Sequence, residues 1–144
     1  MKAPLFYRIA AILMIVFAAG HTLNFSQVDP AWHADAVVQA MQSVHFDAFG
    51  SEQTYWDFFL GFGYVVTALV LLAAIVTWQF SGLPAAALAK MRVSAWAFAV
   101  CFAVMTFLAW RYFFIMPIVL CGATAVCLAV AAWLSGKPQP GAVD

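Results

Sequence analysis

Charge is scarce in this chain of 144 residues: only 8% are Asp, Glu, Lys or Arg, and the formal net charge is zero. A soluble domain carries roughly 25% charged and 45–50% apolar residues, whereas 67% of this chain is hydrophobic. A monomer of about 150 residues still exposes roughly 30% of its surface, so it cannot hide that much apolar area from water. We therefore expect a single integral membrane domain, and we exclude a soluble protein, a nucleic-acid binder and a disordered chain.

Metal and cofactor motifs are also missing. Cys101, Cys121 and Cys127 lie in apolar segments without a C-x-x-C pair, which favours small buried side chains over a zinc or thiol–disulfide site. His21 is the one histidine in an apolar run, so a histidine pair for haem across the membrane is excluded. Phosphate loops, catalytic serine motifs and dinucleotide fingerprints are absent. The sequence predicts no metal site and no cofactor.

Four apolar runs are long enough to cross a bilayer, which takes about 17–25 residues. They cover residues 5–25, 58–80, 93–110 and 113–134. The pattern predicts an all-α fold, a polytopic membrane four-helix bundle in residues 1–134, followed by a disordered cytoplasmic tail in 135–144. Ser51 is a favourable N-cap ahead of the second span, with Glu52 in its first turn.

Basic residues are distributed unevenly between the loops. Residues 26–53 hold four acidic residues and no Lys or Arg, while five of the six basic residues fall on the other side: Lys2, Arg8, Lys90, Arg92 and Lys137. The positive-inside rule then places both termini in the cytoplasm and the 26–53 loop outside. Arg111 is the exception.

The acidic loop itself contains a helix signal. Asp29-Pro30 pairs an N-cap with a proline at the first helical position. Trp32, Val37 and Met41 follow at roughly helical spacing. This predicts a short amphipathic helix in the first extracytoplasmic loop, with that face resting on the outer side of the bundle.

Polar residues gather at the outer ends of the spans. His21, Asp57 and Arg111 fall at similar depth and are the candidate catalytic residues, because together they would surround the mouth of an aromatic pocket. On the second helix, Asp57, Gly61, Tyr64 and Leu71 share a face, and on the first, Met14 and Phe17 share a face with His21. The candidate ligand-binding residues are Phe17, Asn24, Tyr55, Trp56, Gly61, Tyr64, Trp110 and Tyr112.

Two interpretations of this cluster stay open. It would bind a lipophilic molecule with one polar end, and with Asp57 orienting His21 it would also transfer a proton. Alternatively, the charges only match the helix dipoles, with Asp57 near an N-terminus and His21 and Arg111 near C-termini. The Tyr and Trp residues also match the aromatic belt found at membrane interfaces.

Two segments carry a family resemblance. The turn at residues 20–22 with Phe25, and the run Tyr-Trp-Asp-Phe-Phe-Leu-Gly-Phe-Gly at residues 55–63, resemble small four-helix bacterial inner-membrane proteins of the DoxX-like group. The resemblance implies a four-helix bundle and brings no established reaction. The chain is also loosely similar to the sterol isomerase and sigma-2 receptor fold, but it has no glutamate inside a span, which is against a carbocation-type isomerase mechanism.

Three functions remain. The first is an outer-leaflet-facing pocket that binds, and by acid/base chemistry converts, a lipophilic molecule such as an isoprenoid, sterol-like compound or quinone. The second is a non-catalytic accessory subunit, which would pack on a larger membrane complex or on further copies of the chain. The third, a transporter, is the weakest, because the midplane carries no ionisable residue. All three place the protein among membrane lipids, in the bacterial cytoplasmic membrane.

Overall fold

A computed structural model describes residues 3–136 and shows a chain that is mostly helical. From the N-terminus, its elements are α1 (Ala3–Asn24), a 3-10 helix (Pro30–Trp32), α2 (Asp35–Ser43), β1 (His45–Ala48), β2 (Ser51–Thr54), α3 (Tyr55–Phe80), α4 (Ala85–Lys90), α5 (Arg92–Tyr112) and α6 (Ile115–Ser135). Within the described part, α1, α3, α5 and α6 are each long and apolar enough to cross a membrane. The prediction of four membrane-spanning helices is thus supported, and their ends differ from the predicted ones by at most three residues.

The predicted disordered tail of residues 135–144 is wrong at its first residue. Ser135 is the last residue of α6, and its hydroxyl donates to the Ala131 carbonyl oxygen at 2.8 Å, as a helical residue does. The remainder of that prediction, residues 137–144, lies outside the described residues.

A two-stranded antiparallel sheet contradicts the all-α prediction. β1 and β2 pair His45 with Thr54 and Ala48 with Ser51. Phe49 and Gly50 form the connection, with φ of 57° and 88°, so both have the positive φ that a tight hairpin turn requires. Ser51 therefore starts a strand and does not cap a helix.

The cap of α3 is Thr54, three residues after the predicted one. Its hydroxyl oxygen accepts the Asp57 backbone N–H at 3.1 Å, and the Asp57 carboxylate accepts the Thr54 backbone N–H at 2.8 Å. This reciprocal pair is a capping box, which satisfies backbone donors at the start of a helix. The Thr-x-x-Asp spacing was present in the sequence.

The predicted loop helix is interrupted. Asp29 caps only the 3-10 helix, by accepting the Ala31 N–H at 2.9 Å, and His33 then ends it in the left-handed conformation with φ of 50°. α2 starts after this break. Its half-buried side carries Val38 and Met41, while Trp32 and Val37 are more than 60% exposed, so the predicted face is wrong in two of its three members.

The contacts divide the chain into two compact units. Each unit contains part of α1 and part of α3, together with other elements. Unit 1 comprises Met1–Phe17 and Val70–Asp144, of which residues 3–17 and 70–136 are described. Unit 2 comprises Ala18–Leu69.

Unit 1 has an apolar core. Tyr7 is fully buried and packs edge-on against Phe80 at 5.6 Å between ring centroids, and Phe80 packs in the same way on Phe98 at 6.3 Å. The Tyr7 hydroxyl lies 3.2 Å from Ser135 Oγ. α5 and α6 pack closely through small or apolar buried residues: Ala95, Ala99, Phe102, Ala109, Cys121, Thr124, Leu128, Ala131 and Ala132. Of the cysteines, Cys121 is buried, whereas Cys127 is half-buried and Cys101 is exposed.

Candidate ligand-binding site

His21 lies on the last turn of α1, in unit 2, and is half-buried. Ala10, Met14 and Phe17 precede it at helical spacing and are buried, so the face that the sequence predicts for α1 is the one that packs inward. The His21 Nδ1 atom is 3.2 Å from Thr67 Oγ1 on α3. This bond joins the end of α1 to the first half of α3.

Two threonine hydroxyls continue from His21. Thr67 Oγ1 lies 2.9 Å from Thr22 Oγ1, and the Thr22 hydroxyl donates to the Ala18 carbonyl oxygen at 2.8 Å. The Thr67 hydroxyl also comes within 3.3 Å of the Gly63 carbonyl oxygen. A row of polar groups therefore connects α1 and α3.

Phe25 covers the imidazole. Its ring stacks on that of His21 with centroids 5.0 Å apart and planes 11° apart, and it meets Tyr64 edge-on at 5.2 Å. Gly63 makes this position available, because a Cβ atom there would overlap the Phe25 ring. We call His21, Thr22, Phe25, Gly63 and Thr67 the His21 cluster.

Aromatic rings extend outward from the His21 cluster along α3. Phe25 also contacts Phe59 at 5.8 Å, and Phe59 contacts Trp56 at 5.3 Å. Tyr64 is 54% exposed and Phe59 40% exposed, so both offer ring surface to a molecule outside the protein. We call Trp56, Phe59 and Tyr64 the aromatic rim.

The predicted face of α3 needs correction. Gly61 is exposed, and a Cβ atom there would meet nothing within 4 Å. Leu71 is exposed as well, and the buried side of the helix carries Gly63, Val70 and Ala74. α3 is apolar on every side, so its sequence periodicity does not distinguish the packed face from the exposed one.

Asp57 is exposed, and its carboxylate is engaged in the capping box with Thr54. These bonds of the Asp57 carboxylate cap the N-terminus of α3. A role of Asp57 in orienting His21 stays a prediction. Asn24 is exposed too and donates from Nδ2 to the Gly20 carbonyl oxygen at 2.7 Å. Tyr55 is exposed and packs against Phe46 of β1 at 4.9 Å.

The remaining predicted residues belong to unit 1. Trp110, Arg111 and Tyr112 are all exposed at the end of α5, and the Arg111 guanidinium lies 5.1 Å from the centre of the Tyr112 ring. Trp110 contacts Phe107 at 5.9 Å. The convergence of Arg111 with His21 and Asp57 stays a prediction. No group of three metal-ligating side chains occurs among residues 3–136.

Thr22, Phe25, Gly63 and Thr67 were not among the predicted site residues. The available signal was the four-residue spacing of Gly63 and Thr67, which places a small residue and a hydroxyl on one side of an apolar helix. A hydroxyl inside an apolar span bonds readily to its own helix, and the structure adds the partners on α1.

Comparison of the chain with protein-family models, with curated proteins and with solved structures returned no match. The DoxX-like resemblance consequently remains an expectation drawn from the residues at 20–25 and 55–63.

Proposed function

We propose that this chain is a multi-pass protein of the bacterial cytoplasmic membrane that binds a small lipophilic molecule with one polar end at the His21 cluster. The four long helices would form one bundle, and the binding site would open toward the outer leaflet. The ligand class comprises isoprenoids, sterol-like compounds and quinones.

The position of the imidazole carries this proposal. His21 is a half-buried polar ring between a Phe ring and a Thr hydroxyl, one turn before the end of a membrane-spanning helix. Burial of a polar group is costly unless it is hydrogen-bonded, so the ring and the two threonines form a matched polar site in apolar surroundings. A ligand's polar end would contact the imidazole, and its apolar body would lie on Phe59 and Tyr64.

The orientation of the site follows from the basic residues. With both termini cytoplasmic, the end of α1 that carries His21 faces the outer leaflet. Labelling of single cysteines in intact cells tests this, in a background that lacks the three native cysteines. An impermeant reagent should modify S43C and leave S135C unmodified, and the opposite pattern would reverse the orientation.

Native mass spectrometry from a gentle detergent tests the binding. We expect wild-type protein to retain a small lipophilic molecule, and His21→Ala to lose most of it while remaining folded. His33→Ala is the matched control, because His33 is an exposed loop histidine. Equal retention by both variants, or no retained molecule in the wild type, would contradict the proposal.

The accessory-subunit function is favoured by a different surface. Phe46 stacks on Phe58 at 5.8 Å and 10°, Phe58 lies 6.4 Å from Phe62, and Phe49 at the hairpin tip is fully exposed. Exposed aromatic groups of this kind occur where proteins associate. The same mass spectra decide this point, since a partner or a second copy would appear as added protein mass.

A further inference from the structure

Acidic and basic residues are segregated between the two units. Unit 2 contains five carboxylates and no Lys or Arg, whereas the described residues of unit 1 contain four basic side chains and no Asp or Glu. The four basic residues are Arg8, Lys90, Arg92 and Arg111. Among the described residues, a basic side chain of unit 1 therefore has no carboxylate of its own unit with which to pair.

Two of these basic residues lie at the same end of unit 1. The contacts of Tyr7 with Phe80, and of Phe80 with Phe98, bring together the start of α1, the end of α3 and the first half of α5. Arg8 follows Tyr7 on α1, and Lys90 precedes α5. In the proposed orientation this end faces the cytoplasm, where basic residues near the membrane surface attract anionic lipids.

The Arg8 side chain is held by groups at the end of α3. Its Nε atom donates to Ser81 Oγ at 3.4 Å, and its guanidinium carbon lies 6.0 Å from the centre of the Trp78 ring. The Ser81 hydroxyl is buried and donates its own proton to the Trp78 carbonyl oxygen at 2.7 Å, so it accepts from Arg8. Ser81 follows the last residue of α3, and the long Arg8 side chain thus reaches the end of that span.

The Nη atoms of Arg8 are available to a ligand. A guanidinium has five N–H donors, and the bond to Ser81 uses the one on Nε. Arg8 is exposed, and none of residues 3–136 provides an acceptor for the other four donors. Parallel N–H groups of a guanidinium match two oxygens of a phosphate, so the free side of Arg8 suits a phosphate group.

Apolar surface continues from Arg8 into the span. Ile12, one turn further along α1, and Trp78 are each 50% exposed. A free phosphate ion would leave this surface uncovered, whereas a phospholipid with its phosphate on Arg8 would lay an acyl chain on it. Because the described part of unit 1 has no carboxylate to pair with the ammonium of a zwitterionic headgroup, the charges favour an anionic one.

We propose that Arg8, positioned by Ser81 and Trp78, binds the phosphate of an anionic phospholipid in the inner leaflet. The leaflet follows from the proposed orientation of the chain. The site itself belongs to unit 1 and does not depend on the ligand proposed for the His21 cluster of unit 2.

Titration of the protein in gentle detergent with phosphatidylglycerol, followed by native mass spectrometry, tests the site. We expect wild type to bind phosphatidylglycerol more tightly than phosphatidylcholine, and Arg8→Gln to bind phosphatidylglycerol about tenfold more weakly. Lys90→Gln is the matched control, because it removes the same charge at the same end from a side chain without a hydrogen bond to a described residue. It should cost about twofold at most. Equal losses in the two variants, or equal affinity of wild type for both lipids, would overturn the proposal.

Two further variants separate a held guanidinium from charge alone. Arg8→Lys keeps the charge and loses the Nε donor and the paired Nη atoms, and Ser81→Ala keeps Arg8 and removes its hydroxyl partner. Each should weaken phosphatidylglycerol binding by about three- to tenfold with the protein still folded. Wild-type affinity in folded R8K would overturn the bidentate site, and wild-type affinity in folded S81A would overturn the positioning role of Ser81.

Two controls identify the source of the phosphate and the independence of the site. Excess inorganic phosphate should leave phosphatidylglycerol bound, and its displacement would replace the lipid by a soluble phosphate as the ligand and overturn the proposal. His21→Ala should bind phosphatidylglycerol as wild type does. A loss of the molecule retained at the His21 cluster without a loss of phosphatidylglycerol would leave this site standing, and a parallel loss of both would overturn its independence.

Discussion

Different interactions stabilise the interior of each of the two units. Unit 1 has a continuous apolar core with fully buried side chains such as Tyr7, Phe102 and Leu128. Unit 2, all of which the structure describes, buries only Ala18, Thr54 and Gly63, and joins its segments through hydroxyl bonds and stacked rings. We conclude that unit 1 supplies most of the stability, and that unit 2 carries groups able to contact a ligand.

The largest expected effect is a cavity in unit 1. Phe102→Ala should lower the free energy of unfolding by about 3–5 kcal/mol, because Phe102 is 2% exposed and its removal leaves a void. Unfolding in mixed micelles measures this. Phe107→Ala is the matched control on the same helix, since Phe107 is 59% exposed and should cost within about 0.5 kcal/mol. Equal costs for the two would contradict the assignment of the core.

The next effect is an added methyl group in unit 2. Gly63→Ala should cost about 1–3 kcal/mol and unstack Phe25 from His21, because the new Cβ would overlap the Phe25 ring. Gly61→Ala has open space around its Cβ and should be neutral or gain up to about 1 kcal/mol from helix propensity. We expect Gly63→Ala to be less stable and to retain less ligand than Gly61→Ala, as measured by unfolding and by native mass spectrometry. If G63A kept the ligand as well as G61A does, the stacked ring would have no part in binding.

A smaller effect belongs to the start of α3. Thr54→Ala should cost about 0.5–2 kcal/mol, because it removes the two bonds that the Thr54 hydroxyl makes with Asp57. Asp57→Asn keeps an acceptor for the Thr54 N–H and should cost less. Neither should alter ligand retention if Asp57 only caps the helix. A loss of ligand in folded D57N, with T54A unaffected, would show that Asp57 acts on the site.

The smallest effect concerns the hairpin tip. Phe49→Asn should change stability by less than about 0.5 kcal/mol, because Phe49 is fully exposed and asparagine tolerates its positive φ. Unfolding in mixed micelles provides the value. Should F49N release a co-purifying protein that wild type retains, the accessory-subunit function would gain direct support.

The sequence predicted the helices better than it predicted their faces. Long apolar runs and breakers such as Ser81-Gly82 located α1, α3, α5 and α6 to within three residues. In an all-apolar helix, however, Gly61 and Gly63 look alike, and only the packing of Phe25 distinguishes them. The physical cause is that lipid and protein interior are both apolar. The hydrophobicity of a residue in such a helix therefore does not indicate whether the residue is buried.

Short elements were harder to predict than long ones. Ser51 and Thr54 are both acceptable N-caps, but only Thr54 stands three residues before an acidic side chain, in capping-box spacing. The four-residue strands are too short for alternation to identify them. For the site, His21, Trp56 and Tyr64 could be proposed from residue type and depth, but Thr67 needed the pairing of α1 with α3.

Photo-crosslinking with a diazirine derivative of farnesol, followed by peptide mapping, tests the central claim most directly. The account predicts labels within residues 18–25 and 56–67 that are removed by excess farnesol. His21→Ala should weaken this labelling, and His33→Ala should not. Labels spread over exposed positions such as Leu69, Leu72 and Ile75, unaffected by competition, would contradict the account.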